Sequence, residues 1–308
     1  MQVTMNPLTY PFPATPLGAA AVRFVRDELA AFEASHALLA RRPGLLAVEA
    51  VFLTHCSPPD PASDALAVVT RILYLVLYFN DRVRREYLGV EASVVWAGVC
   101  GRPVATEAES QCRPGLMAAS CEAGAALREA LARRGAELTS FTHLFRVNLA
   151  AFVWVAERHT TPVTVSEHIE VRQETISAIA YLRLWGLLGG LQANDELRYG
   201  LHLQRCERLS ALVQALANDL RSVERDRQEG QPNAVLLEES DRQAQSDQAA
   251  LRIAARHAHA LAELVDALAV ARRAGAAASP AYHAYLTFIE ICTRGNNTAM
   301  TELVNRYS

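Results

Sequence analysis

The sequence predicts an all-α fold. Apolar residues recur at helical spacing along most of the chain, no run alternates in the manner of paired strands, and only 15 Gly and 13 Pro interrupt 308 residues. Helices are expected near 18–37, 44–55, 62–87, 116–134, 138–158, 165–190, 196–229, 242–273 and 280–304, nine or ten main helices in one domain spanning 1–308. The stretch SPPDPAS at 57–63 breaks one helix and offers Asp60 or Ser63 as a cap for the next. Residues 100–115 and 159–163 read as loops. Gly230 and Pro232 end a helix and open a polar stretch over 227–249. The run ALAVVTRILYLVLYF inside 62–87 passes at once into NDRVRREY, as a buried wall would end at a polar rim.

Composition narrows the function. The chain is 51% hydrophobic and 20% charged, enough apolar content for a core that encloses a sizeable cavity. A net charge of −3 does not point to nucleic acid or an anionic membrane as a partner. All 30 basic residues are Arg, so any cationic contact to an anionic ligand comes from a planar guanidinium fork. Six cysteines (Cys56, Cys100, Cys112, Cys121, Cys206 and Cys292) are scattered without CxxC or CxxH spacing, and read as reduced residues of a cytoplasmic protein. The first residues lack the basic and apolar regions of a signal peptide. The strongest apolar run, 72–79, is far short of the roughly 20 residues that span a bilayer. A homodimer is compatible with this composition.

The informative segment is 218–226, Asn-Asp-Leu-Arg-Ser-Val-Glu-Arg-Asp. Asn218, Ser222 and Asp226 recur at i, i+4 and i+8, a spacing that drifts only about 40° per step and places three hard oxygen donors on one helical stripe. Mg²⁺ accepts such donors and leaves its remaining positions to water and phosphate oxygens. Spacing alone describes a solvated polar face equally well. The histidines (for example His55, His143, His159 and His168) form no HExxH or paired ligand set.

The segment resembles the metal-binding motif (N/D)Dxx(S/T)xx(R/K)(E/D) of bacterial class I terpene synthases, with Asn218, Asp219, Ser222, Arg225 and Asp226 filling its slots. The final acid is Asp, one methylene shorter than the commoner Glu. Three further features follow in family order. Arg172, 46 residues earlier, resembles the diphosphate-sensing arginine, which makes Thr175 the linker and Ile176 the donor of an effector carbonyl beside a helix break. The ending RGNNTAMTELVNRYS resembles G-N-x-x-W-S…RY, with Gly295, Asn296, Arg306 and Tyr307 in place and the Trp absent. The weakest match is the aspartate-rich motif, whose place is taken by 79–86. Either Asn80–Asp81 replace the paired aspartates, or Asp81 is the first Asp and Glu86 the closing acid; the second register is preferred.

The resemblance implies the class I terpenoid synthase bundle around a central apolar cavity, and a cyclase acting on farnesyl or geranylgeranyl diphosphate. Asp81, Glu86, Asn218, Ser222 and Asp226 would hold up to three Mg²⁺ ions, with Mn²⁺ as a substitute. Arg172, Arg225, Arg306 and Tyr307 would grip the diphosphate. Phe79, Phe152, Trp154, Tyr181 and Trp185 are aromatic candidates for the cavity wall, Phe79 foremost. Chain-elongating synthases of the same fold are disfavoured, because a second DDxxD motif and lysines are lacking. A linear alcohol as product, or a helical binding protein without chemistry, remain as alternatives.

Overall fold

A computed structural model describes residues 8–36, 45–80, 88–104, 106–113, 115–158, 163–242 and 246–307. The described residues form thirteen helices: α1 (Ala19–Ser35), α2 (Leu45–Cys56), α3 (Ser63–Asn80), α4 (Leu88–Cys100), α5 (Thr106–Gln111), α6 (Leu116–Ala132), α7 (Thr139–Arg158), α8 (Val165–Thr175), α9 (Ala178–Leu188), α10 (Ala193–Glu229), α11 (Ala234–Arg242), α12 (Ser246–Ala274) and α13 (Pro280–Tyr307). No strand occurs among them. No described helix is long and apolar enough to cross a membrane.

Three helices fall where the sequence predicts none. The helix α4, LGVEASVVWAGVC, is apolar on nearly every side and therefore shows no stripe. It is buried because it packs against α6 and α7 at once. Contact with α6 is backbone-close: a Cβ on Gly124 would lie 2.5 Å from Val99 Cα. The helices α5 and α11 are short; α5 lies in a stretch expected to be loop and α11 in the polar stretch over 227–249. The acid that meets the start of α3 is neither Asp60 nor Ser63 but Asp64, whose carboxylate accepts from Ala65 N at 2.8 Å. Asp64 also accepts from Arg133 and Arg134, tying α3 to the end of α6.

One long helix expected over 165–190 is two. A capping box opens α8: Thr164 Oγ1 accepts from Glu167 N at 3.2 Å, and Glu167 Oε2 accepts from Thr164 N at 2.9 Å. The helix stops at Thr175 because Ser177 takes a left-handed conformation, φ 61°, unusual for a residue with a Cβ. Asn148 on α7 holds the break open, its Nδ2 donating to Glu174 O at 2.6 Å and to Ser177 Oγ at 2.9 Å.

The 37-residue α10 is the central rod, packed against α8, α9, α12 and α13. Its end is set by Gly230, φ 61°, in the αL position that terminates helices. Midway along it, Glu207 meets Arg183 Nη2 of α9 with both carboxylate oxygens (2.7 Å at Oε1 and 2.8 Å at Oε2) and accepts from Tyr285 Oη of α13 (2.5 Å), while Arg183 Nη1 donates to Glu196 Oε1 (2.5 Å). Burial, the largest single influence, would lower the pKa of Arg183, but the charge and hydrogen bond of Glu207 together with Tyr285 and Glu196 outweigh it and raise it. The residues Arg183, Glu207 and Tyr285 are all buried and pin three helices in one register.

A close backbone approach joins α2 to α13 at Gly295. A Cβ on Gly295 would stand 1.9 Å from His55 O. Beside it, His55 Nε2 and Glu302 Oε2 pair at 3.0 Å.

Candidate functional site

The predicted stripe on α10 is buried. Asn218, Ser222 and Asp226 are 6%, 3% and 6% exposed, which rules out a solvated face. Burying two amide or hydroxyl groups and a carboxylate is costly unless each is bonded, and each is. Asn218 Oδ1 accepts from Arg172 Nη2 at 2.6 Å, and its Nδ2 reaches Met300 Sδ of α13 at 3.3 Å. Ser222 Oγ donates to Asp226 Oδ2 at 2.5 Å. Asp226 Oδ1 accepts from Arg225 Nη2 at 2.9 Å and Nε at 3.2 Å.

Asp219, beside the stripe, anchors Arg172. Its Oδ1 accepts from Arg172 Nε at 3.1 Å, while its Oδ2 contacts His168 Nε2 at 2.7 Å and accepts from Ala234 N at 3.0 Å. Burial pushes the Asp219 carboxyl up, but the His168 bond, the Arg172 charge and the Ala234 amide together hold it below the usual range. Arg172 also turns Nη1 to Thr175 Oγ1 at 3.4 Å, so a single guanidinium spans α10 and the last residue of α8. Ile176 directly precedes the left-handed Ser177.

Sequence reasoning missed the residue that ties the stripe together. Asn233, fully buried beyond the end of α10, donates through Nδ2 to Asp219 O (2.8 Å), Ser222 Oγ (3.3 Å) and Asp226 Oδ2 (2.9 Å). Its Oδ1 accepts from Val235 N at 2.9 Å, fixing the start of α11. His168 and Asn148 were missed for the same reason: one polar residue on an apolar helix face carries no periodic signal.

Of the other predicted residues, Phe79 is wholly buried on α3 and stacks on Phe152 of α7, centroids 6.5 Å apart. Tyr181 and Trp185 form an aromatic cluster with Phe288 of α13, at 6.4 and 6.1 Å. Trp154 is half-buried and is not part of these ring contacts. Asp81 and Glu86 lie outside the described residues, as do the side chains of Asn80, Arg306 and Tyr307. The helix α13 nevertheless runs to Tyr307, so the Arg306 backbone lies about 9 Å along the axis beyond Met300.

A buried stripe of oxygens clamped by arginine on an all-helical scaffold defines a class I terpenoid synthase fold, and the comparisons agree. The chain belongs to terpene synthase family 2: the family model for its C-terminal metal-binding domain matches residues 92–263, more than half of the sequence. It is accordingly an enzyme of the terpene synthase class. Among solved structures, 2-methylisoborneol synthase from Streptomyces coelicolor A3(2), in complex with Mg²⁺ and geranyl-S-thiolodiphosphate, superposes with a TM-score of 0.82 at 17% identity. The match covers 100% of this chain and 98% of that one. Linalool/nerolidol synthase from Streptomyces clavuligerus, in complex with 2-fluorogeranyl diphosphate, gives 0.76 at 18% identity, covering 96% and 98%. The SVS_A2 protein from ancestral sequence reconstruction gives 0.76 at 15%, covering 97% and 90%. At these identities the likeness is one of fold. No curated protein sequence matches the chain significantly.

Proposed function

We propose that the protein is a Mg²⁺-dependent cyclase in which a single domain, residues 1–308, ionises farnesyl or geranylgeranyl diphosphate and closes the resulting carbocation into a sesquiterpene or diterpene. The observation that carries this reading is the buried stripe Asn218/Ser222/Asp226 held against Arg172. Three hard oxygens, one a carboxylate, on a single face suit a small divalent cation. Asp81 and Glu86 would supply the opposite ligands, for up to three ions, with Mn²⁺ as a substitute. Bound divalent ions would neutralise the departing diphosphate as Lewis acids.

The protein's own groups do the rest. The C–O bond of the prenyl ester breaks with both electrons leaving on the diphosphate, and the cyclised cation becomes a neutral hydrocarbon by giving up a proton to that diphosphate or to water. Arg172, Arg225, Arg306 and Tyr307 donate charge-assisted hydrogen bonds to its oxygens. Thr175 and Ile176, at the α8–α9 break, pass the position of Arg172 to the backbone carbonyl nearest the organic chain. The apolar wall, with Phe79 as its first aromatic, keeps water from the cation and stabilises it by about 1–2 kcal/mol per desolvated ring face.

Incubation of purified protein with C10, C15, C20 and C25 prenyl diphosphates and Mg²⁺, followed by product analysis, tests the assignment. A cyclic hydrocarbon from the C15 or C20 substrate is expected. Release of neither terpene nor diphosphate from any of the four would overturn it. Asn218→Ala and Asp226→Ala are expected to abolish turnover in folded protein.

A further inference from the structure

The two oxygens that close the ends of the stripe both carry guanidinium groups. Arg172 Nη2 sits 2.6 Å from Asn218 Oδ1, and Arg225 Nη2 sits 2.9 Å from Asp226 Oδ1. The remaining carboxylate oxygen, Asp226 Oδ2, is saturated from behind by Ser222 and by Asn233, which is fully buried and fixed through its own bond to Val235 N. A divalent ion approaching the stripe therefore meets Asn218 Oδ1 and Asp226 Oδ1. It would share each oxygen with a cation, and like charges at such separations repel strongly in a buried site. The two arginines differ in freedom. The Arg225 side chain is 57% exposed and bends round from the neighbouring position on α10, whereas Arg172 is held at its root by Asp219, itself braced by His168 and the Ala234 amide.

We infer that Arg172 and Arg225 are removable caps on the metal ligands, so that metal and diphosphate bind this face only together. The inference rests on the metal-site reading above and adds a binding order to it. Diphosphate offers each guanidinium a more highly charged acceptor than an amide or a shared carboxylate oxygen. When it draws Arg172 Nη2 and Arg225 from the stripe, Asn218 Oδ1 and Asp226 Oδ1 become available. Asn233 and Ser222 keep Asp226 from turning, which leaves Oδ1 as its ligating atom. By linkage, metal must raise diphosphate affinity by the same factor. An arginine that aids diphosphate binding here opposes binding of metal alone.

That opposition supplies the test. Full-length protein is titrated with Mn²⁺, followed by electron paramagnetic resonance, with and without inorganic pyrophosphate. The same titrations are made on Arg172→Gln, Arg225→Gln and Arg221→Gln. Arg221 lies on the same helix but donates to Thr301 Oγ1 at 3.1 Å, so its variant reports the effect of losing one nearby charge without uncapping a ligand. The expected result is weak Mn²⁺ binding to the parent protein without pyrophosphate. Affinity should rise roughly tenfold in each cap variant, the value of one hydrogen bond to a charged donor, and the gain from pyrophosphate should shrink. Mn²⁺ affinities for Arg172→Gln and Arg225→Gln no higher than for Arg221→Gln would overturn the caps and leave the metal site standing. Failure of the parent protein to bind Mn²⁺ even with pyrophosphate would overturn the metal site itself, and the caps with it.

Discussion

Asn233 Nδ2 donates to Asp226 Oδ2 at 2.9 Å, so the last oxygen of the α10 stripe is set by a residue outside that helix. The same amide reaches Ser222 Oγ and Asp219 O. Replacing Asn233 with Ala leaves a buried backbone carbonyl and a carboxylate oxygen short of a donor, a loss of about 1–3 kcal/mol. The Mg²⁺ concentration for half-maximal turnover should rise several-fold. A variant destabilised to that extent with an unaltered Mg²⁺ requirement would show that Asn233 serves folding alone.

The α8–α9 break should be sensitive to Asn148. Leu at this position fills the space but removes both donors from Glu174 O and Ser177 Oγ. The expected outcome is a fall in thermal midpoint, corresponding to about 1–3 kcal/mol, together with a lower turnover rate. Near-parent turnover in Asn148→Leu would argue that the break does not carry the signal assigned to Ile176.

The legibility of the chain divides along physical lines. Long amphipathic helices announced themselves: α10 and α12 differ from expectation by a few residues at their starts and by at most one at their ends. By contrast, α4 was invisible because a helix buried on all sides has no polar face to contrast with its apolar one. Periodicity did not show the split at Ser177, which only the family resemblance implied, because the bond that supports it comes from Asn148, 29 residues away. That Asn218, Ser222 and Asp226 share one face could be read from spacing, since i, i+4 and i+8 lie within one helix; that the face is buried could not. Asn233 and His168 could not, because their partners are fixed by tertiary packing. The order of the motifs, rather than any one of them, identified the family.

His257 gives a pH dependence with a defined sign. Burial, followed by the charge of Arg221, lowers its pKa from 6.5 to about 4, and Tyr10 Oη bonds its Nε2 at 2.8 Å. Between pH 6.5 and 4 the unfolded chain binds a proton that the folded chain refuses. Stability is therefore fully present above this window and falls by about 3 kcal/mol as the pH drops through it. Thermal midpoints measured from pH 7 to pH 4.5 should decline more steeply for the parent protein than for His257→Gln. Parallel curves would place the acid sensitivity elsewhere.

Gly295 tolerates no side chain. A Cβ would meet His55 O at 1.9 Å and His55 C at 2.6 Å, both backbone atoms that cannot step aside. Gly295→Ala should cost about 3 kcal/mol or more, seen as a lowered urea midpoint or a loss of soluble protein. A midpoint equal to the parent's would mean that α2 and α13 slide freely past one another.

The central rod has one further consequence. The Arg183–Glu207–Tyr285 junction and Asn218, the first residue of the proposed metal site, are eleven residues apart on the uninterrupted α10, about 16 Å along its axis. That span can change only in the discrete steps of an α-helix. One inserted residue would rotate the oxygens by about 100° away from Arg172, whereas four would lengthen the span by about 6 Å with only about 40° of drift. The helix is thus a ruler graduated in turns, and only whole turns can be added without turning the oxygens from Arg172.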